Sequence, residues 1–116
     1  MKEQRVLQLL GLCRRAGKLT LGDVATRQAI AKGAVDLILV AEDAGRSTRE
    51  SFLRLGENAK LPCVIFGKRE ELGQAVGAGP KAVLGIIDQN LGAALGAALA
   101  ALAGDPEAGH HTGVNQ

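Results

Sequence analysis

The run Asp36-Leu37-Ile38-Leu39-Val40-Ala41 constrains the fold more than any other stretch of the chain. Five apolar residues in a row without alternation read as a strand covered on both faces, most often a parallel one with helices on each side. Its residues are mostly β-favouring, and the run is too short for a buried helix. It ends in Glu42-Asp43-Ala44-Gly45. Ahead of it, residues 22–32 read as a helix, with Gly33 placed to stop it. Glycine turn, helix, glycine stop and buried strand make one compact unit, and a functional site is expected along its rim.

The remaining segments take their places around this unit. Val6, Leu9, Leu10 and Cys13 recur at helical spacing and predict a first helix over 3–16, ended by Gly17. Residues 18–21 form a short extended piece. Ser47-Thr48-Arg49-Glu50 has the spacing of a capping box and predicts the start of a third helix, with Phe52, Leu55 and Ala59 on one face. Residues 62–66 and 81–87 read as further buried strands, and 70–76 as a short helix ending at Gly77. Leu91, Ala94, Leu95, Ala98, Leu99 and Leu102 form the apolar stripe of a last helix. Periodicity is lost from Gly104 onward. Helices alternating with short buried strands predict an α/β class chain, a three-layer α/β/α domain around a small, mostly parallel sheet. Residues 1–103 are expected to be one domain and 104–116 a disordered tail.

Composition narrows the function. The only aromatic residues are Phe52 and Phe66, so the core must be built from Leu, Ile, Val and Ala. Without Tyr or Trp, the chain lacks the aromatic platforms on which single-strand RNA modules stack bases. The net charge of +2 hides an asymmetry: residues 1–33 carry seven bases and two acids, the rest seven bases and ten acids. A basic third suits an anionic partner, although a solvated helix surface gives the same count. Cys13 and Cys63 sit in apolar segments without CxxC spacing and read as buried structural thiols of a reducing, cytoplasmic environment. The uncharged stretch 91–103 is too short to span a bilayer, so no membrane partner is expected.

Catalytic patterns are missing. Gly77-x-Gly79-x-x-Ala82 matches a dinucleotide fingerprint in letters, but it follows a helix and opens a strand, the inverse of the required order. There is no phosphate-binding GxxxxGK[ST] loop. Glu42 and Asp43 stand where α/β sites often lie, yet no base or second acid completes them, and Asp43 reads as a turn residue. His110 and His111 fall in the tail, without further ligands for a metal. No folded-region His is left to activate Ser47, Ser51 or a thiol. Neither an enzyme, a cofactor nor a metal is expected. Gly92-x-x-x-Gly96 permits close backbone approach; packing against the sheet is the favoured reading and a helix-mediated dimer the sharper one. A monomer is expected.

Several short pieces in fixed order carry a resemblance that covers about residues 5–103. They are Leu10-Gly-Leu-Cys-Arg-Arg-Ala-Gly-Lys18, Gly22 opening the second helix, Ala29-Ile-Ala-Lys-Gly33 and Leu37-Ile-Leu-Val-Ala-Glu-Asp-Ala44. Leu61-Pro-Cys-Val64, Glu71-Leu-Gly73 and the stretch from Val83 to Asp88 complete the series. The chain resembles the kink-turn RNA-binding ribosomal proteins of the L-seven-Ae type, most closely their small bacterial YlxQ-like members. The resemblance implies an α/β/α sandwich with a four-stranded mixed sheet that grips a sharply kinked RNA in the translation machinery. It also implies that the second helix, opening Gly-x-Asn-Glu-x-x-Lys in the family, reads the kink. The loop before the last strand would cover a flipped nucleotide.

Here Gly22 matches the motif's glycine, whereas Val24, Ala25 and Gln28 stand at its Asn, Glu and Lys positions. The groups that would hydrogen-bond guanine edges are gone, at roughly 1–3 kcal/mol per bidentate contact. Phosphate contacts remain available. The expected RNA-binding residues are Arg14, Arg15, Lys18, Gly22, Arg27, Gln28, Lys32, Gly79 and Lys81. The alternative reading is an interaction module that kept the fold and uses the apolar Val24–Ala25 patch for a protein partner.

Overall fold

The computed structural model describes residues 2–103, and the expected tail at 104–116 lies outside the described residues. The apolar run becomes β2 (Leu37–Val40), with all four residues buried. Around it, in chain order, come α1 (Lys2–Arg15), β1 (Leu19–Leu21), α2 (Asp23–Ala31), α3 (Arg46–Ala59), β3 (Cys63–Ile65), α4 (Arg69–Ala75), β4 (Val83–Ile86) and α5 (Gln89–Ala103). The four strands make one sheet in the order β1-β4-β2-β3.

Alternation along the strands sorts the helices into two layers. Ile38 and Cys63 point at Gly56 of α3, and Gly85 faces Thr26 of α2, so α2 and α3 cover one face. Ile86 meets Gly92 of α5 on the other face, where α1 packs against α5 and α4. Phe52 supplies the largest fully buried side chain, and Leu10, Leu37, Leu39, Leu84, Ile86 and Leu95 fill the rest of an aliphatic core. The α/β/α sandwich and its four-stranded mixed sheet match the sequence expectation.

Two local expectations are corrected. The sheet is not mostly parallel: β2 pairs parallel with β3, but antiparallel with β4, which in turn pairs antiparallel with β1. A strand covered by helices on both faces is continuously apolar whatever the direction of its neighbours, so the pattern of 37–41 reports burial and not polarity. Nor does Ser47 cap α3. The helix starts at Arg46, with Gly45 as the cap residue and its carbonyl accepting the Arg49 N–H at 3.0 Å. Arg46 and Glu50, one turn apart, form an exposed ion pair at 3.1 Å along this earlier first turn. The reach-back half of a capping box occurs instead at α4, where the Glu71 Oε1 accepts the Lys68 N–H at 2.9 Å.

Both cysteines are free and buried. Burial pushes the Cys63 thiol up to about 12, and burial, then the nearby Asp88 charge, raises Cys13. Gly92 packs as expected, since a Cβ there would lie 3.2 Å from the Asp36 Cβ. Gly96 does not pack; it lines an open groove of about 630 Å³ with Leu37, Pro62, Val64 and Leu99.

Candidate nucleic-acid interface

Strand β4 is the ruler against which the expected site residues are placed. Its Val83 end receives Gly22, whose N–H donates to the Val83 carbonyl at 2.9 Å, and its Ile86 end receives Lys18, whose carbonyl accepts the Ile87 N–H at 3.0 Å. The two ends are about 10 Å apart at some 3.3 Å per strand residue. Gly22, Gly79 and Lys81 therefore gather at the Val83 end. Lys18, with Arg14 and Arg15 just before it at the end of α1, belongs to the Ile86 end. Lys32 caps the far end of α2, four residues before Asp36, which hydrogen-bonds Ile86. Arg27 and Gln28 lie between the two groups on α2. The nine expected residues are thus split across the length of a strand.

At the Val83 end the backbone is arranged with care. Gly22 has φ 93°, ψ 176°, a conformation open to glycine and strained for other residues, and from it α2 starts with no side-chain cap. The first N–H groups of α2 are left for water or a ligand. Opposite, the loop 77–81 is fixed at both ends: Ala78 N–H donates to the Gly73 carbonyl at 2.8 Å and Lys81 N–H to the Arg69 carbonyl at 3.1 Å. Gly73 is needed there because any Cβ would overlap the Gly79 carbonyl oxygen. Arg69 is fixed in turn by Asp43, whose Oδ1 accepts the Arg69 N–H at 2.9 Å and whose Oδ2 lies 3.6 Å from its Nε. That backbone N–H, before any charge, holds the Asp43 carboxyl below its ordinary value. Asp43 does more than form a turn: it joins the β2–α3 loop to the start of α4.

Three bases that the sequence reading left unassigned also reach this end. Val40 of β2 pairs with Val83 and with Ile65 of β3, so the segments after both strands emerge beside the loop. Arg49 donates from Nη1 to the Glu42 carbonyl at 3.3 Å, Lys68 Nζ lies 3.5 Å from Glu42 Oε1, and Arg69 sits on Asp43. Their positions in the chain, scattered through its net-acidic remainder, concealed the cluster. The signal that remained was Glu42-Asp43 at a strand end, which marks where these cations are tethered.

Arg27 is held by its neighbours. Its Nε and Nη2 both donate to the Asp23 carboxylate one turn earlier, and its guanidinium lies over the Phe52 ring, 4.4 Å from the centroid. Val24, by contrast, is 68% exposed, the most exposed large apolar side chain among the described residues. No group of His, Cys, Asp and Glu able to hold a metal is found among the described residues.

Residues 4–100 match the family described as Ribosomal protein L7Ae/L30e/S12e/Gadd45 family. The chain belongs to that family. Among the relatives of this L7Ae-type chain is the "RNA-binding protein YlxQ" of Enterococcus faecium, 32% identical over 85 residues, which span 73% of this chain and 82% of that one. A Bacillus halodurans protein of unknown function superposes with a TM-score of 0.81 at 31% identity, covering 83% of this chain and 97% of its own. The "15.5kD RNA binding protein" of Giardia lamblia shares the L7Ae-type fold, with a TM-score of 0.71, 23% identity and coverage of 92% and 88%. In this chain the family's α/β/α frame carries the Gly22 turn, the start of α2 and the 77–81 loop on one end of the sheet.

Proposed function

We propose that the chain is a non-catalytic RNA-binding protein of the cytoplasmic translation machinery that takes structured RNA at the Val83 end of its sheet. One observation carries this reading. The uncapped start of α2 and the doubly anchored 77–81 loop lie at the same end, with Lys81, Arg49, Lys68 and Arg69 around them. Helix N–H groups and cations in that arrangement suit a phosphate backbone that turns sharply between them. Arg14, Arg15, Lys18 and Lys32, about 10 Å further on, suit the phosphates of the continuing helix. The name of the Enterococcus relative supports the ligand class. Kinked RNA is the favoured form, and residues 1–103 are the binding domain. Val24 and Ala25 replace polar motif residues, so recognition of the kink rests on shape and phosphate geometry more than on base edges.

The test is a titration against a kink-turn RNA and a fully paired duplex of equal length, at low and moderate salt. A tenfold preference for the kinked RNA, about 1.4 kcal/mol, with affinity falling steeply as salt rises, is the expected result. Equal, salt-sensitive binding to both would reduce the protein to a general binder of RNA backbone. Absence of binding at low salt would overturn the proposal. The exposure of Val24 would then favour a protein partner held by an apolar contact that salt does not weaken.

A further inference from the structure

We propose that Arg27 is a stacking platform for an unpaired nucleobase. The inference rests on the RNA-binding reading and adds a specificity-determining contact to it. A guanidinium binds phosphate through its donor edges, and the Nε–Nη2 edge of Arg27 is already spent on Asp23. One of its two faces lies on Phe52, which is fully buried in the core and so cannot withdraw. The Arg27 side chain nevertheless keeps 39% of its surface exposed. With one edge and one face occupied, the planar group has its opposite face and its Nη1 edge left to offer, and no other partner among the described residues takes them.

A flat cation laid over a buried ring is the kind of surface on which an unstacked base lies, because every base has a π-face to present. The chain has no Tyr or Trp to do this, and both of its Phe rings are buried. Val24 stands one turn before Arg27 on α2 and is exposed, so an apolar side chain flanks the platform. Stacking there would supply selectivity for an unpaired base in a chain that exposes no Phe, Tyr or Trp ring.

The experiment is a binding series with an RNA hairpin bearing a three-nucleotide bulge. An abasic site is placed at each bulge position in turn, and wild-type protein is compared with Arg27→Lys. Lysine keeps the charge and loses the plane. The proposal expects one bulge position at which removing the base weakens wild-type binding about fivefold or more, the low end for stacking on a side chain. Arg27→Lys should bind the intact bulge as weakly as wild type binds the abasic one, with no further loss on removing the base. That deficit should persist at moderate salt, where a lost phosphate contact would fade. Thermal unfolding of the variant, within a few degrees of wild type, separates the contact from a damaged fold. If Arg27→Lys retains the full difference between base and abasic site, or if wild type binds every abasic hairpin as tightly as the intact one, the platform is wrong while RNA binding stands. Failure of wild type to bind any of these hairpins at low salt removes the RNA reading and the platform with it.

Discussion

Gly73 shows how much a single missing methyl group decides. Its Cα lies under the 77–81 loop, and the Gly79 carbonyl occupies the space a side chain would need. Gly73→Ala must push that loop away from α4, breaking the Ala78–Gly73 bond. The expected cost is about 1–3 kcal/mol, read as a shift in the urea midpoint, together with weaker RNA binding. Cys63 makes the opposite point, a polar atom silenced by its surroundings. Its thiol ionises near 12 when folded, against 9.0 when unperturbed, so the folded state holds the proton more tightly. The contribution is intact below pH 9 and is lost as the pH rises from there toward about 12. Alkylation at mildly alkaline pH should therefore label the native protein far more slowly than the urea-unfolded one. Equal rates would show that the site opens freely.

At the scale of elements, Asp43 governs how three of them meet. Its carboxylate receives the first N–H of α4, and the same residue, Arg69, receives Lys81 from the covering loop. Asp43→Asn should leave the sheet unchanged while hydrogen exchange at the Arg69 and Lys81 amides accelerates. The folded carboxyl ionises below its ordinary 3.8, so its contribution is present above that value and lost as pH falls through the lower, folded one. Wild-type protection at these two amides should drop over that same acid range, whereas the Asn variant should show no such step. Protection that is unaltered in the variant would mean that the loop is held by other means.

These elements differed in how openly the sequence declared them. Helices α1 and α5 were legible because their apolar residues recur with helical spacing, and β2 because five apolar residues leave no alternative. The start of α3 was misread, since Ser47 and Glu50 imitate a cap that Gly45 pre-empts. Strand direction was not legible at all, because burial on both faces erases the alternation that would reveal a neighbour's polarity. The cations of the Val83 end were missed for a topological reason. Arg49, Lys68 and Arg69 become neighbours only when β3 aligns beside β2.

For the whole molecule, the division of basic residues between two ends of one sheet sets the salt dependence of binding. Lys81 stands at the Val83 end and Lys32 at the other. Lys81→Glu should weaken binding to kinked RNA more than Lys32→Glu does. Each should flatten the salt dependence by about one phosphate, a slope change close to 0.9 for a duplex contact. If the Lys32 variant is the weaker of the two, the centre of the interface belongs nearer Lys18. The interleaved strand order is what makes such a comparison possible, since it puts the first and last strands side by side and stretches the basic surface along both.

That strand order also governs how the chain comes into being. β4 lies between β1 and β2, yet it is the last strand in the chain. A nascent chain that has reached only α4 holds β1 and β2 with nothing between them, and β2 has just one neighbour, β3. Two rows of backbone donors and acceptors stay open until residues 83–86 arrive, and such edges invite pairing with other chains. Closing the sheet joins residues about as far apart as Leu19 and Ile86, which makes completion a late and comparatively slow step. The protein thus passes most of its synthesis with an unfinished sheet and completes it through the strand that arrives last.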